Sequence, residues 1–483
     1  MTNLIAECEY GKISGEQDGA VVIWRGIPYA KAPVGDLRYA PPQKPISWQG
    51  VLNAVQFGPA ALQPIQGLTM DEDCLYLNIW SPGADDHRRP VLVWIHGGGF
   101  MVGAGSDPAF DGKSFAEKGD LVVVTINYRL GAMGFLYFDE RNSSDFQGSG
   151  NLGIQDQIAA LEWVQQNIEA FGGDPNQVTI FGESAGGRSV GIHLSLPQSK
   201  GLFHRAIIQS GMISNYRSIS DAARITNEII QKLQISADDL QKLMMIPAEQ
   251  IMKASPLLKP AVGLEPTFEG SFFATMPLAA AAEGFNRDIP VIIGTTQHEV
   301  TPNMDPEWAG NSDAALLVLF EKRVGTALKQ AVPFYSEKYR QDPSLLHQLA
   351  RLLTFHDFNV PAIKLAENRN LHQAPTWVYR FDWTSEATGG FAFHGIEVPF
   401  VFNNLDTPRA KQYTGASPDA QVVANQIHAG WIAFARTGNP NTLGLPAWSP
   451  YSSTGRETML FNVESKLEFD PNQDERELWG KVK

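Results

Sequence analysis

The residues Gly182-Glu183-Ser184-Ala185-Gly186-Gly187 follow the β-branched run VTIF (178–181) and precede the helix-like stretch SVGIHLSL (189–196). A serine between glycines is common, but at a strand-to-helix junction the pattern G-x-S-x-G has a physical meaning. The flanking glycines permit a turn sharp enough to hold the serine in a strained conformation with its hydroxyl above a sheet. Such a hydroxyl is a weak nucleophile until a base takes its proton, and an oxyanion formed by attack on a carbonyl needs fixed donors. A second run supplies candidates: His96-Gly97-Gly98-Gly99-Phe100 follows VLVWI and sets three residues without side chains at a strand end. The amides of Gly98 and Gly99 can approach a substrate oxygen closely there, and the Ala185 amide, at the head of the helix after Ser184, is a third donor aided by the helix dipole. These residue types in this pattern point to acyl transfer through a covalent serine.

Such residues must be held by a framework. Five short runs, VLVWIH (91–96), LVVVTIN (121–127), VTIF (178–181), AIIQS (206–210) and PVIIGTT (290–296), lack polar alternation and read as strands buried on both faces. Between two of them, apolar residues at Ile154, Ile158, Leu161, Val164, Ile168 and Phe171 recur every three or four positions, and the Gly172-Gly173 pair ends that helix. Strand, helix and strand joined by short connections imply an α/β fold, a mainly parallel sheet flanked by helices. Ligands in such sheets sit at the carboxyl ends of the strands, which is where both glycine-rich runs fall. Positions about 222–375 are richer in helical patterns and are expected to form helical excursions over that end.

The chain has 483 residues with 38 Lys and Arg against 52 Asp and Glu, a net charge of −14. That charge repels phosphate backbones and anionic lipid surfaces, so nucleic-acid and membrane partners are excluded as the main role, and neutral or cationic small molecules approach more easily than anionic ones. Two cysteines, Cys8 and Cys74, cannot form a disulfide framework for a chain this size. The start carries Glu7 and Glu9 where a signal peptide needs an apolar run, and a cytoplasmic protein is expected, a monomer or small homo-oligomer. Asn142-Ser143-Ser144 matches a glycosylation acceptor, a triplet common by chance.

The motifs resemble the type-B carboxylesterase family, the cholinesterase-like branch of the α/β-hydrolases, over nearly the whole chain. The matching stretches include RGIPYA (25–30), EDCLYLNIW (72–80), HGGGF (96–100), GNLGIQDQIAALEWVQQNI (150–168), FGESAGG (181–187), HGIEVPFVF (394–402) and FARTGNPN (434–441). The lack of a recognisable leader makes the chain most similar to bacterial members. The resemblance implies the α/β-hydrolase fold, one catalytic domain over 1–483, and hydrolysis of short- to medium-chain carboxylic esters of broad type without metal or organic cofactor. It also implies a triad of Ser184, Glu299 and His394. A carboxylate just beyond a strand end can orient a histidine, which suits Glu299 after PVIIGTT better than its rivals Asp305 and Glu307. His394 stands above His298, His356, His372 and His428, and His96 is read as shaping the glycine-rich loop.

Further residues carry two readings each. Glu183 either tunes the proton affinity of the histidine or accepts buried hydrogen bonds, and the resemblance supports the first. Ser210 is read as a donor near the triad, with a strand-end cap as the alternative. Arg188, where the family has a small residue, is expected in a salt bridge on the first helical turns rather than against an acidic substrate group. The family more often has Asp-Glu-Gly where this chain has His298-Glu299-Val300. Cys74 lacks the upstream partner of its relatives and is expected as a free thiol. A short loop at 63–71 is expected to widen the entrance. Segments 257–273 and 303–319 are expected to build the substrate pockets, with Trp308, Phe320, Phe355 and Phe393 as possible linings. Lipase, thioesterase or amidase chemistry by the same triad is the alternative within catalysis, and a non-catalytic adhesion module the alternative outside it.

Overall fold

The computed structural model describes residues 4–138, 146, 148–214, 216–236, 239–255, 263–308, 310–342, 344–415 and 417–481. The triplet at 142–144 and positions 257–262 of one expected pocket segment lie outside them. The strands are β1 (Ile5–Cys8), β2 (Gly11–Ser14), β3 (Glu16–Asp18), β4 (Val21–Pro28), β5 (Val51–Asn53), β6 (Tyr76–Ser81) and β7 (Arg89–Ile95) in the first part of the chain. They continue as β8 (Val122–Ile126), β9 (Gly173–Glu183), β10 (Arg205–Gln209), β11 (Val291–Thr296), β12 (Thr376–Phe381), β13 (Glu457–Phe461) and β14 (Lys466–Phe469). β1, β2 and β5 make a small sheet, and the rest form one sheet in the order β14-β13-β12-β11-β10-β9-β7-β8-β6-β4-β3. Pairing is parallel from β8 to β13 and antiparallel only at the two ends.

The five apolar runs become β7 to β11, and their lack of alternation has the expected cause. Val91, Val93 and Ile95 join one core cluster with Ile180 and Ile208, while Leu92 and Trp94 join another with Phe181, Ile207 and Ile292, on the opposite face. Each large apolar side chain so buried contributes about 1.5–3 kcal/mol. The helix Leu152–Asn167 covers one face and tightens into a last turn, Ile168–Phe171, closed by Gly172 at φ 79. Gly173 is already the first residue of β9. Inside this layer Asp156 accepts from the Arg129 side chain at 2.8 and 2.7 Å and from the Arg129 amide at 3.0 Å, with both side chains buried.

The chain passes from β7 to β8 on one side, then returns past β7 to β9 on the other. Strand order reverses there, and the crevice at the carboxyl ends of β7 and β9 is where such sheets hold ligands. The expected helical excursions are present. Ile219–Lys232, Ala248–Ala254 and Pro277–Ala282 precede β11, while Asp313–Val324, Leu328–Lys338, Leu345–Thr354 and Val360–Asn370 lie between β11 and β12. Helices of the second group share a third core cluster with Val300, Trp308 and Phe358.

Candidate active site

β9 ends at Glu183 and a helix begins at Ala185, so the whole reversal falls on Ser184, at φ 56 and ψ −118. A non-glycine residue is disfavoured in that conformation, by about 1–3 kcal/mol, and keeps it only where its surroundings enforce it. The enforcement is close packing: a methyl group placed on Gly186 would meet the Ile95 carbonyl oxygen at 1.9 Å. The Ser184 amide donates to the Gln209 carbonyl at 2.9 Å and its own carbonyl accepts from Arg188 at 2.8 Å. β7, β9 and β10 thus grip the turn and leave the hydroxyl over the crevice.

His394, on the loop after β12, places Nε2 2.8 Å from Ser184 Oγ, and Nδ1 lies 2.6 Å from Glu299 Oε2. A carboxylate accepts only, so the neutral imidazole carries its proton on Nδ1 and turns a lone pair toward the serine hydroxyl. Glu299, wholly buried on the loop after β11, is fixed through Oε1 by the Thr296 amide at 2.7 Å. Three elements far apart in sequence thus meet in one hydrogen-bonded line. Phe358 packs against the His394 ring with centroids 5.2 Å apart. It stands in a π-helical turn, Phe355–Asn359, wedged before a helix with Pro361 in its first turn. Proline lacks an amide donor there, which accounts for the wider turn.

Two more carboxylates act on the imidazole electrostatically. Glu183 Oε1 lies 3.3 Å from His394 Nε2 without forming an aligned hydrogen bond. Glu397 is wholly buried and accepts from Ser210 Oγ at a long 3.4 Å. Burial pushes both acids up, repulsion from neighbouring carboxylates adds to it, and His394 opposes it. Burial works against a charged His394, yet Glu183 and Glu299 outweigh it and hold its pKa above the ordinary histidine range. Only a neutral imidazole can accept a proton, and Glu183→Gln removes a charge that favours the protonated form. The acid limb of the kcat/KM profile is expected to move to lower pH in that variant. An unmoved limb would show that Glu183 carries no charge over the working range.

Gly98 at φ 104 and Gly99 at φ 62 turn the loop after β7 so tightly that a side chain on Gly98 would meet the Val102 carbonyl oxygen at 2.2 Å. Among the described residues the amides of Gly98 and Gly99 donate to no protein acceptor. Ala185, buried, heads the helix Ala185–His193. A cavity of about 290 Å³ holds Gly97, Gly98, Ser184 and His394 on one side. Its walls include Ile65, Val102, Phe110, Phe393 and Tyr413, with Asp107, Thr407 and Arg409 as polar members. Ile65 comes from the short loop, which Gln63 ties to Gly103 through two hydrogen bonds of 2.7 and 2.9 Å.

The structure therefore brings Ser184, Glu299, His394, Glu183 and Gly98 together, while Ser210 touches Glu397 rather than the imidazole. Asp305 instead accepts the Glu307 amide in a turn. His96 stacks on Tyr128 with centroids 4.4 Å apart, and burial lowers it to about 4, which suits a neutral shaping residue. His356 pairs with Asp357, His372 with the Ala282 carbonyl and His428 with the Val401 carbonyl. Arg188 is in a salt bridge, but its partner at 2.6 Å is distant Glu265, and its guanidinium lies over Tyr216 and Phe100. Cys8 and Cys74 are free and buried. Of the four aromatics considered for lining, Phe393 faces the cavity, whereas Trp308, Phe320 and Phe355 are buried in the helical core because their elements pack against one another. Phe358 and Glu397 were not singled out from the sequence. The signal for Glu397 was its place three residues after His394, and for Phe358 a proline interrupting a helical pattern.

Comparison with known proteins gives matches over nearly the whole chain. The model of the Carboxylesterase family matches residues 2–479. The para-nitrobenzyl esterase of Bacillus subtilis is 38% identical, with 99% of this chain and 98% of that protein aligned. The phenmedipham hydrolase of Pseudarthrobacter oxydans is 34% identical over 96% of each. The crystal structure of the Geobacillus stearothermophilus carboxylesterase superposes with a TM-score of 0.93 at 42% identity, covering 99% of this chain and all of that one.

Proposed function

The chain belongs to the carboxylesterase family and is a carboxylic ester hydrolase, and from that premise we propose that it works by acyl transfer through Ser184, with His394 as base and Glu299 as its orienting acid. The observation that carries this reading is the unbroken line from Ser184 Oγ to His394 Nε2 at 2.8 Å and from Nδ1 to Glu299 at 2.6 Å, at the edge of an open cavity. Ser184 Oγ attacks the ester carbonyl while its proton passes to Nε2, and Glu299 and Glu183 stabilise the imidazolium. The amides of Gly98, Gly99 and Ala185 receive the oxyanion, each being worth about 3–4 kcal/mol in the transition state. His394 then protonates the leaving alcohol, and water activated by the same imidazole releases the acid from acyl-Ser184.

The substrates proposed are short- to medium-chain esters of broad alcohol type. A cavity of about 290 Å³ takes a small acyl or benzyl arm, and one relative bears the name of a p-nitrobenzyl esterase. The net charge of −14 favours neutral or cationic esters. The test is a series of p-nitrophenyl esters of rising acyl length, p-nitrobenzyl esters and the matching amides, compared by kcat/KM. Short and medium esters are expected to lead. Preference for emulsified long-chain glycerides, or for amides over esters of equal shape, would overturn the assignment.

A further inference from the structure

We propose that His298 is a positioning residue for the triad, its imidazole clamping the loop that carries His394 to the loop that carries Glu299. This rests on the reading of Ser184, Glu299 and His394 given above. The two loops follow neighbouring parallel strands, β11 and β12, and beyond those strands they share an isolated parallel bridge between His298 and Phe393. The Gln297 amide still donates to the Phe381 carbonyl at 2.9 Å, one residue before that bridge. Glu299 and His394 must then meet at 2.6 Å across ninety-five residues of sequence.

His298 holds this junction with two bonds to one residue, one from its backbone and one to its ring. Its amide donates to the Ala392 carbonyl at 3.0 Å, and its ring Nδ1 accepts from the Ala392 amide at 3.1 Å. The second bond requires the side chain. A single bond is a pivot, whereas two bonds on both peptide groups of Ala392 fix its direction as well as its distance. His394 is two residues on, so its imidazole inherits that direction. Phe391 packs edge-on to the His298 ring with centroids 5.2 Å apart, and Ala392 is wholly buried, so water cannot replace the ring as acceptor. On the other side of Glu299, Val300 donates to Thr354 Oγ1 at 2.9 Å, so the acid loop is held on both flanks.

The acceptor role requires a neutral ring with its proton on Nε2. Burial and the nearby guanidiniums of Arg351 and Arg380 lower His298 to about 4, which keeps Nδ1 unprotonated throughout the working range. The bond is thus constant in pH, and the residue does not act as a second base.

The test compares His298→Leu, which fills the space without an acceptor, with His298→Asn, whose Oδ1 can replace Nδ1. Active serine in each preparation is counted with an organophosphate, and melting temperatures are recorded. His298→Leu is expected to lose about 10- to 100-fold in kcat with KM little changed, the range that removing a partner which orients a metal ligand produces, carried over to a triad oriented in the same way. Its kcat/KM acid limb is expected to shift to lower pH, because a loosened Glu299 stabilises the imidazolium less while Glu183 and Glu397 stay in place. His298→Asn is expected to return most of the kcat and the parent pH limb. Two results would overturn the inference: a leucine variant with parental kcat and pH limb, or an asparagine variant as impaired as leucine at equal melting temperature. A parent that neither hydrolyses esters nor takes the label would instead overturn the functional reading.

Discussion

Ser184→Ala is expected to lower kcat for p-nitrophenyl acetate by roughly 10⁴- to 10⁶-fold and to abolish stoichiometric labelling by an organophosphate. The size follows from what the methyl group removes and what it leaves. It removes the hydroxyl that lies 2.8 Å from His394 Nε2, the attacking group of the proposed reaction. The cavity, the glycine amides and the imidazole remain, and such a remnant still accelerates hydrolysis about 10³- to 10⁴-fold over water. The backbone cost of φ 56 at this position is the same for alanine as for serine, so the melting temperature is expected to stay close to that of the parent. Labelling at full stoichiometry in the alanine protein would place the nucleophile elsewhere.

That prediction rests on residues that were legible early, and the reason is geometric. Ser184 and the Gly98-Gly99 pair announce themselves because a sharp turn imposes glycine within a few residues, so the signal is local. Glu299 and His394 are different. Nothing around either residue forces its type, and their partnership exists only because β11 and β12 are neighbours; resemblance to a family supplied them. Phe358 reaches the imidazole by packing of the helical excursion, and Glu397 acts on it only through its charge from the turn after His394, relations that no periodicity encodes. Arg188 was read as salt-bridged, yet its partner Glu265 lies seventy-seven residues on, beyond the reach of any i,i+4 rule. In the sheet, the central parallel strands were plain from their β-branched runs, whereas the antiparallel strands at its edges were not. β3 is three exposed residues, Glu16–Asp18, paired only to β4, and such an edge has no hydrophobic pattern to betray it.

Asp156→Ala is expected to destabilise the protein by about 3–5 kcal/mol, among the largest effects available to one substitution away from the crevice. Asp156 stands on the helix Leu152–Asn167 and is wholly buried, as is nearly all of Arg129, just beyond β8. Three hydrogen bonds of 2.7 to 3.0 Å join the carboxylate to the Arg129 side chain and amide. The guanidinium keeps one further contact, to the Ala40 carbonyl at 2.9 Å, which does not neutralise it. Truncating the acid therefore leaves a buried, unpaired charge, and arginine cannot escape by losing its proton. Pairing the change with Arg129→Met removes the stranded charge, so the double variant is expected to recover part of the loss. A double variant no more stable than Asp156→Ala would mean that the hydrogen bonds to backbone, not the charge, dominate. The pair touches none of the triad residues, but its helix leads through Gly172 directly into β9, the strand that ends at Ser184. Loss of the pair is thus expected to appear in denaturant midpoints and melting temperature, while kcat per labelled serine stays near the parent value as long as the chain is folded.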